Sequence, residues 1–199
     1  NSVLLYKKEG RDPDLIYTRT VATPHGWTFV IPNKDSVSYG YLYNDTITSK
    51  GDATMDFLNR FDLPKVDDAL KFENYMAKDM FVGERTVLNG NHFGFIEPLE
   101  ATSIGIYISV CRKAWDYIFG HKSKDDCNHE MRVKMKEIET FFLWLYNKGS
   151  KYDTPFWRYA KSLPFNPDSK FYKMCSDEPF EYVYGNWAQY SFDIFKKHI

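Results

Sequence analysis

Two apolar periods divide this chain, and the switch between them constrains its fold more than any other feature. Up to about residue 45 the period is two. In "GWTFVIP" Trp27, Phe29 and Ile31 alternate on one face, and in "SVSYGYLYND" Val37, Tyr39, Tyr41 and Tyr43 do the same. With the turn "PNKD" between them, the two runs predict an antiparallel hairpin. "SVLLYKK" and "DLIYTRTVA" add β character. The tyrosine row reads as a packed sheet face rather than a ligand platform. Beyond residue 100 the period is helical. Ile104, Ile108, Cys111, Trp115 and Ile118 form one apolar face closed by Gly120. Cys127, Met131, Met135, Ile138, Phe142 and Leu145 form another, stopped by Gly149, with the methionines as core filling. "DTPFWRYAKSL" offers Thr154 as cap, Pro155 in the first helical position, and Phe156 and Trp157 as anchors.

The middle is less regular. "DATMDFLNRF" predicts a short helix on Met55, Leu58 and Phe61, and "FVGERTVLNG" a short buried strand at Thr86–Leu88. "LPKVDDALKFENYMAKDM" fits neither period, and the tail is expected to be helical from Trp187. The fold class is therefore α+β: short antiparallel strands followed by a mainly helical C-terminal region. No repeat, low-complexity tract or linker breaks it, so residues 1–199 are expected to form a single unit, β-rich over 1–50 and mostly helical over 51–199. A sheet of only two or three strands is expected, a small partner for so many helices.

Composition narrows the function classes. The 199 residues suit one ordinary domain or a large piece of a bigger protein. A net charge of -1 without a basic stripe argues against nucleic acid as a partner. Apolar residues at 43% supply a real core, and 18% aromatics need a core, an interface or a pocket for a flat ligand. Three cysteines without CxxC spacing and five histidines without HxH or HExxH argue against a disulfide framework and against a metal site. No apolar run approaches the ~18 residues of a membrane span, and "NSVLLYKKEG" does not read as a signal peptide. A cytoplasmic protein is expected. The chain opens inside a strand with no initiator methionine, as a fragment would.

The segment with most chemistry is "NHFGFIEPLEATSIGIYISV", residues 91–110, where acids and small polar residues interrupt an apolar run. Pro98 keeps Glu97 extended, and a helix is expected to start near Leu99 to Thr102. Its free first-turn N–H groups and positive dipole end make the amides near Ala101 to Ser103 a candidate anion site. Glu100 stands beside it in an apolar wall, where a carboxylate can move protons. The alternative is that Glu97 and Glu100 only cap the helix, and spacing alone favours that.

"GFIEPLEATSI" resembles the "GFxEPLEST" segment of the flavin-dependent tryptophan halogenases. "GWTFVIP" resembles that family's upstream "GWxWxIP", and "YDTPFWRYAKSLP" its downstream "DTPFWR". The order is the family's own, and the motifs cover nearly the whole chain. The family's Gly-rich GxGxxG turn is absent, as is the catalytic lysine of the same half, so the chain resembles only the C-terminal part. The resemblance implies oxidation of a bound halide (chloride, bromide or iodide) by reduced FAD and dioxygen to hypohalous acid. That acid then travels a tunnel and halogenates an electron-rich aromatic small molecule, with a flavin reductase as partner. It implies Glu100 as the catalytic acid, Ala101, Thr102 and Ser103 beside halide and flavin, and Trp27, Phe29, Pro32, Phe95 and Pro98 along the tunnel. Tyr182, Tyr184 and Trp187 become candidates for stacking on the substrate. Phe29 stands where the family's second tryptophan is usual, Ala101 where serine is, and Ser103 where glycine is frequent. The isolated chain is expected to be inactive and to self-associate through its exposed apolar face. The rival expectations are a hydroxylating flavin monooxygenase and a non-catalytic helical interaction module.

Overall fold

The computed structural model describes residues 1–99 and 101–164. In chain order the elements are β1 (Ser2–Glu9), β2 (Arg19–Thr23), β3 (Gly26–Pro32), β4 (Ser36–Tyr43), α1 (Lys50–Phe61), β5 (Asp68–Lys71), β6 (Tyr75–Met76), β7 (Phe81–Val82), β8 (Thr86–Val87), a 3-10 turn (Gly90–His92), β9 (Gly94–Phe95), α2 (Ser103–Ile118), α3 (Lys124–Lys148) and α4 (Pro155–Ser162). This is the α+β class the two periods imply. Contacts divide the described chain into two compact units, Asn1–Phe72 with Tyr146–Leu163, and Glu73–Leu145.

The first unit is built on an antiparallel sheet in the order β2-β3-β4-β1-β5. It has five strands rather than the expected two or three. The extra pairing comes from β1, which bonds β4 on one side and β5 on the other, and the fully exposed residues of β5 carry no alternation from which to read it. The tyrosine row packs against α1 as expected of a sheet face. Tyr41 meets Phe57 at 5.4 Å and Tyr39 meets Phe61 at 5.6 Å between ring centroids, both pairs tilted. Asp56 ties the two elements together, accepting from the Tyr41 hydroxyl at 2.8 Å and from two Arg60 nitrogens at 3.2 and 2.8 Å. In α1 the buried residues are Ala53 and Phe57, while Met55 is exposed. Two residues along a helix is over half a turn, so a face built on Ala53 puts Met55 outside. The run "DLIYTRTVA" becomes a strand only at Arg19, since Asp12 to Tyr17 form a turn that buries Leu15 alone and leaves Ile16 and Tyr17 exposed.

The second unit gathers Met80, Phe81, Phe93, Ile96, Ile106 and Val110 around α3, which buries its expected face of Cys127, Met131, Met135, Ile138 and Phe142, with Leu145 partly covered, and buries Asn128, Glu137, Thr140, Phe141 and Trp144 beyond it. The Asn128 side chain fixes the incoming loop by accepting from the Met80 N–H at 3.0 Å. Two expectations fail here. β8 exists but is exposed at Thr86 and only half-buried at Val87. And α2 turns its expected stripe outward: Ile104, Ile108, Cys111, Trp115 and Ile118 are exposed, while Ile106 and Val110 are buried and Tyr107, Ala114 and Tyr117 pack beside them. A helix apolar on nearly every side offers two stripes, and periodicity cannot choose between them. Among the described residues no helix is long and apolar enough to cross a membrane.

Candidate functional site

In the second unit the site segment folds as a tight turn into a helix. The backbone N–H of Glu97 donates to Asn74 Oδ1 at 2.9 Å, and the Glu97 residue is buried. The Leu99 N–H then donates to the Glu97 carbonyl at 2.9 Å, and the Ala101 N–H to the Pro98 carbonyl at 3.3 Å. Pro98 is exposed, and Phe95 is half-buried in β9 opposite Tyr75. The turn forces Ala101 to φ 51°, in the left-handed region. A residue with a Cβ pays roughly 1 kcal/mol to sit there, and strain of this kind concentrates where geometry serves a site.

Thr102 follows as the N-cap of the 16-residue helix α2, at φ -69° and ψ -18°, with no side-chain capping bond. The other two helices with a described cap behave differently. Ser49 on α1 and Thr154 on α4 sit in extended backbone and accept from Asp52 N–H and Trp157 N–H. Thr102 already has helical backbone and makes no side-chain bond to its own first turn. The hydroxyl is buried and has no hydrogen-bond partner among the described residues. Leaving such a group unpaired costs about 1–3 kcal/mol. Next to it are the first N–H groups of α2, which a helix cannot satisfy from within, and the positive end of its dipole. Ser103, half-buried, is the first helical residue. The left-handed turn at Ala101, the N-terminus of α2 and a buried hydroxyl without a partner among the described residues thus lie next to one another, while the Ala101 amide, expected to be part of an anion site, is taken by the Pro98 carbonyl.

In the first unit the other two motifs meet. The β2–β3 turn is gripped by α4: Thr154 Oγ1 donates to the Pro24 carbonyl at 2.5 Å, and Trp157 Nε1 to the Thr23 carbonyl at 2.7 Å. Gly26 opens β3 because a Cβ there would lie 1.9 Å from the Leu42 carbonyl oxygen. Trp27 is 2% exposed, and its indole N–H donates to the Tyr146 hydroxyl at 2.9 Å. Phe29, half-buried, lies on the same sheet face at 6.3 Å from Trp27 and occupies the space left by Gly40, where a Cβ would fall 2.0 Å from its ring. Pro32 pairs with Val37, and strand alternation puts it on the opposite face from Trp27 and Phe29. Glu100, Tyr182, Tyr184 and Trp187 lie outside the described residues. Sequence reasoning passed over Tyr146, which sits in an apolar stretch of α3 with no motif to mark it.

The tryptophan halogenase family model matches residues 2–198. The chain belongs to the tryptophan halogenase family. It is 26% identical over 168 residues to tryptophan 7-halogenase KtzQ of Kutzneria sp. (strain 744), covering 80% of this chain and 30% of that one. To tryptophan 6-halogenase ThaL of Streptomyces albogriseolus it is 28% identical over 165 residues, covering 79% and 30%. Its fold is that of the thermophilic tryptophan halogenase Th-Hal from Streptomycin violaceusniger, with a TM-score of 0.75 at 22% identity over 96% of this chain and 41% of that one. It is likewise that of BrvH, a flavin-dependent halogenase from Brevundimonas sp. BAL3, with a TM-score of 0.77 at 19% identity over 96% and 41%. The chain thus spans about 30% of the length of the curated halogenases it matches.

Proposed function

We propose that this family member carries the halide seat and the acid of a flavin-dependent halogenation, in which an electron-rich aromatic such as an indole exchanges a ring hydrogen for halogen. The observation that carries the reading is the buried, unpartnered Thr102 hydroxyl at the N-terminus of α2. A purely structural helix start gains by pairing or deleting that group, whereas a halide can accept from it and from first-turn amides of α2.

The fit is to the halide. The residues present offer no Gly-rich phosphate turn, so no contact to FAD is assigned to them. When bound, reduced FAD supplies with dioxygen the oxidation of halide to hypohalous acid, and a flavin reductase is the source of the reduced cofactor. The chain's own residues do the rest. Thr102, Ser103 and the first amides of α2 hold the anion and stabilise its charge. The left-handed turn at Ala101 leads straight into that first turn, and its own side chain is only a methyl. Glu100, next in sequence to that turn, is the acid assigned to hydrogen-bond the electrophilic halogen and to take the proton lost from the ring. Trp27 and Phe29 in the first unit, and Phe95 and Pro98 in the second, are each proposed as tunnel residues from the motifs they stand in, and Tyr182, Tyr184 and Trp187 are proposed to stack on the substrate. Self-association is proposed on the exposed stripe of α2, because a contiguous apolar strip of that kind is uncommon on a monomer's surface.

The test uses the polypeptide that carries this sequence, supplied with reduced FAD, dioxygen, bromide and an indole. Glu100→Gln keeps the size of the side chain and removes the proton acceptor. The expected outcome is a fall in haloindole formation of about 10²–10⁴-fold. An unchanged rate removes Glu100 from the chemistry.

A further inference from the structure

The Trp27–Tyr146 hydrogen bond joins a motif residue to one that no motif contains. We infer that Tyr146 is a positioning residue for the proposed halogenation: its hydroxyl sets the angle of the Trp27 indole and so the wall along which the oxidised halogen passes. The inference rests on the reading of Trp27 as part of that wall.

Three observations carry it. First, Trp27 is buried, so its N–H must find a partner inside the protein, and the acceptor it has is Tyr146 Oη at 2.9 Å. The backbone of β3 places the Cα of Trp27, but the indole edge is still free to turn about two side-chain torsions, and this bond selects one setting. Second, the acceptor is itself held from two sides. The Tyr146 ring meets Phe156 edge-on at 6.1 Å and 63°, and Trp157 at 6.0 Å and 48°. Trp157 is in turn pinned to the Thr23 carbonyl, and Thr154, three residues before it, to the Pro24 carbonyl. The connections form a closed circuit: from the β2–β3 turn to α4, from α4 to Tyr146, and from Tyr146 back to Trp27 at the start of β3. Third, the neighbouring aromatic on the same face lacks this device. Phe29 has no N–H to donate and is placed by packing over Gly40. Of the two rings proposed to line the route, only Trp27 has its angle fixed by a directional bond.

A structural role alone would make the same bond, so the test must read position as well as stability. Tyr146→Phe, made in the polypeptide that carries this sequence, removes the hydroxyl and keeps the ring. Ultraviolet resonance Raman spectra report hydrogen bonding of the indole N–H, and subtraction of Trp27→Phe spectra isolates Trp27. The expected result is a shift of that signal to the unbonded position, with the yield of haloindole per dioxygen consumed falling about tenfold, the remainder appearing as free hypohalous acid trapped by an added thiol. The double variant Trp27→Phe/Tyr146→Phe is expected to do no worse than Trp27→Phe alone, since the two residues act through one contact. An unshifted Raman signal, additive effects in the double variant, or a lowered Tm with unchanged yield per dioxygen would overturn the positioning role and leave the halogenation reading intact. A wild-type protein that forms no haloindole with any halide would overturn the halogenation reading, and the positioning role with it.

Discussion

Among single residues, Thr102 and its neighbour Ala101 matter most to the proposed site. An unpaired buried hydroxyl and a left-handed alanine are both unfavourable in the folded protein, and they are adjacent. The proposed anion seat uses both: the left-handed turn leads into the N-terminus of α2, and the hydroxyl adds a donor. The consequence is a trade between stability and binding. Thr102→Val replaces the hydroxyl by a methyl of the same shape. Its Tm is expected to rise, as it deletes a group that has no partner among the described residues. The bromide concentration for half-maximal halogenation is expected to increase about 10–100-fold, the worth of a hydrogen bond to a charged group. A Tm that falls, as it would if the hydroxyl were satisfied inside the protein, counts against the seat. The sequence pointed to this place through Glu97, Glu100 and the small residues that follow. It did not show the strain, because alanine carries none of the turn preference of glycine or asparagine. Nor did it show that Thr102 fails to cap, since threonine before a helix normally reads as a cap.

At the scale of elements, what was legible depended on whether an element has one apolar side or several. The expected face of α3 is buried, but so are Glu137, Thr140, Phe141 and Trp144 outside it, because the C-terminal half of the helix is covered on more than one side. The expected face of α2 is not buried, because Ile104, Ile108, Trp115 and Ile118 compete with Ile106, Val110, Tyr107 and Tyr117 for the core. The hairpin β3–β4 showed its alternation, while β5 showed none and was found only through its pairing with β1. Tyr146 could not have been found by pattern, because the Trp27 it serves lies 119 residues away. The link between β4 and α1 carries a prediction of its own. Burial acts against the charge on Asp56, but hydrogen bonds from Arg60 and Tyr41 and the guanidinium's charge outweigh it, so its pKa lies below the ordinary 3.8. A depressed carboxylate contributes stability above its unfolded pKa and loses it as the pH falls through the folded one. Asp56→Asn is therefore expected to cost ~2 kcal/mol near neutrality. The gap from wild type should narrow as the solution is acidified below about pH 4, which denaturant titrations at several pH values would show. A gap independent of pH would mean that Asp56 acts by shape and not by charge.

In the whole molecule, "GWTFVIP" and "DTPFWR" lie in the β unit and "GFIEPLEATSI" in the helical unit. The family match runs across both, from residue 2 to residue 198. The three motifs in order made the family legible in the sequence, where composition alone gave only an aromatic-rich α+β protein. Halide dependence is what separates the proposed reaction from hydroxylation by a flavin enzyme and from a module that only binds. The most direct measurement is the mass of the product formed from an indole by the polypeptide that carries this sequence, with reduced FAD and dioxygen, in bromide and in halide-free buffer. The account predicts a monobrominated indole in bromide and no haloindole without it. An indole hydroxylated equally in both, or left unchanged in both, would contradict it.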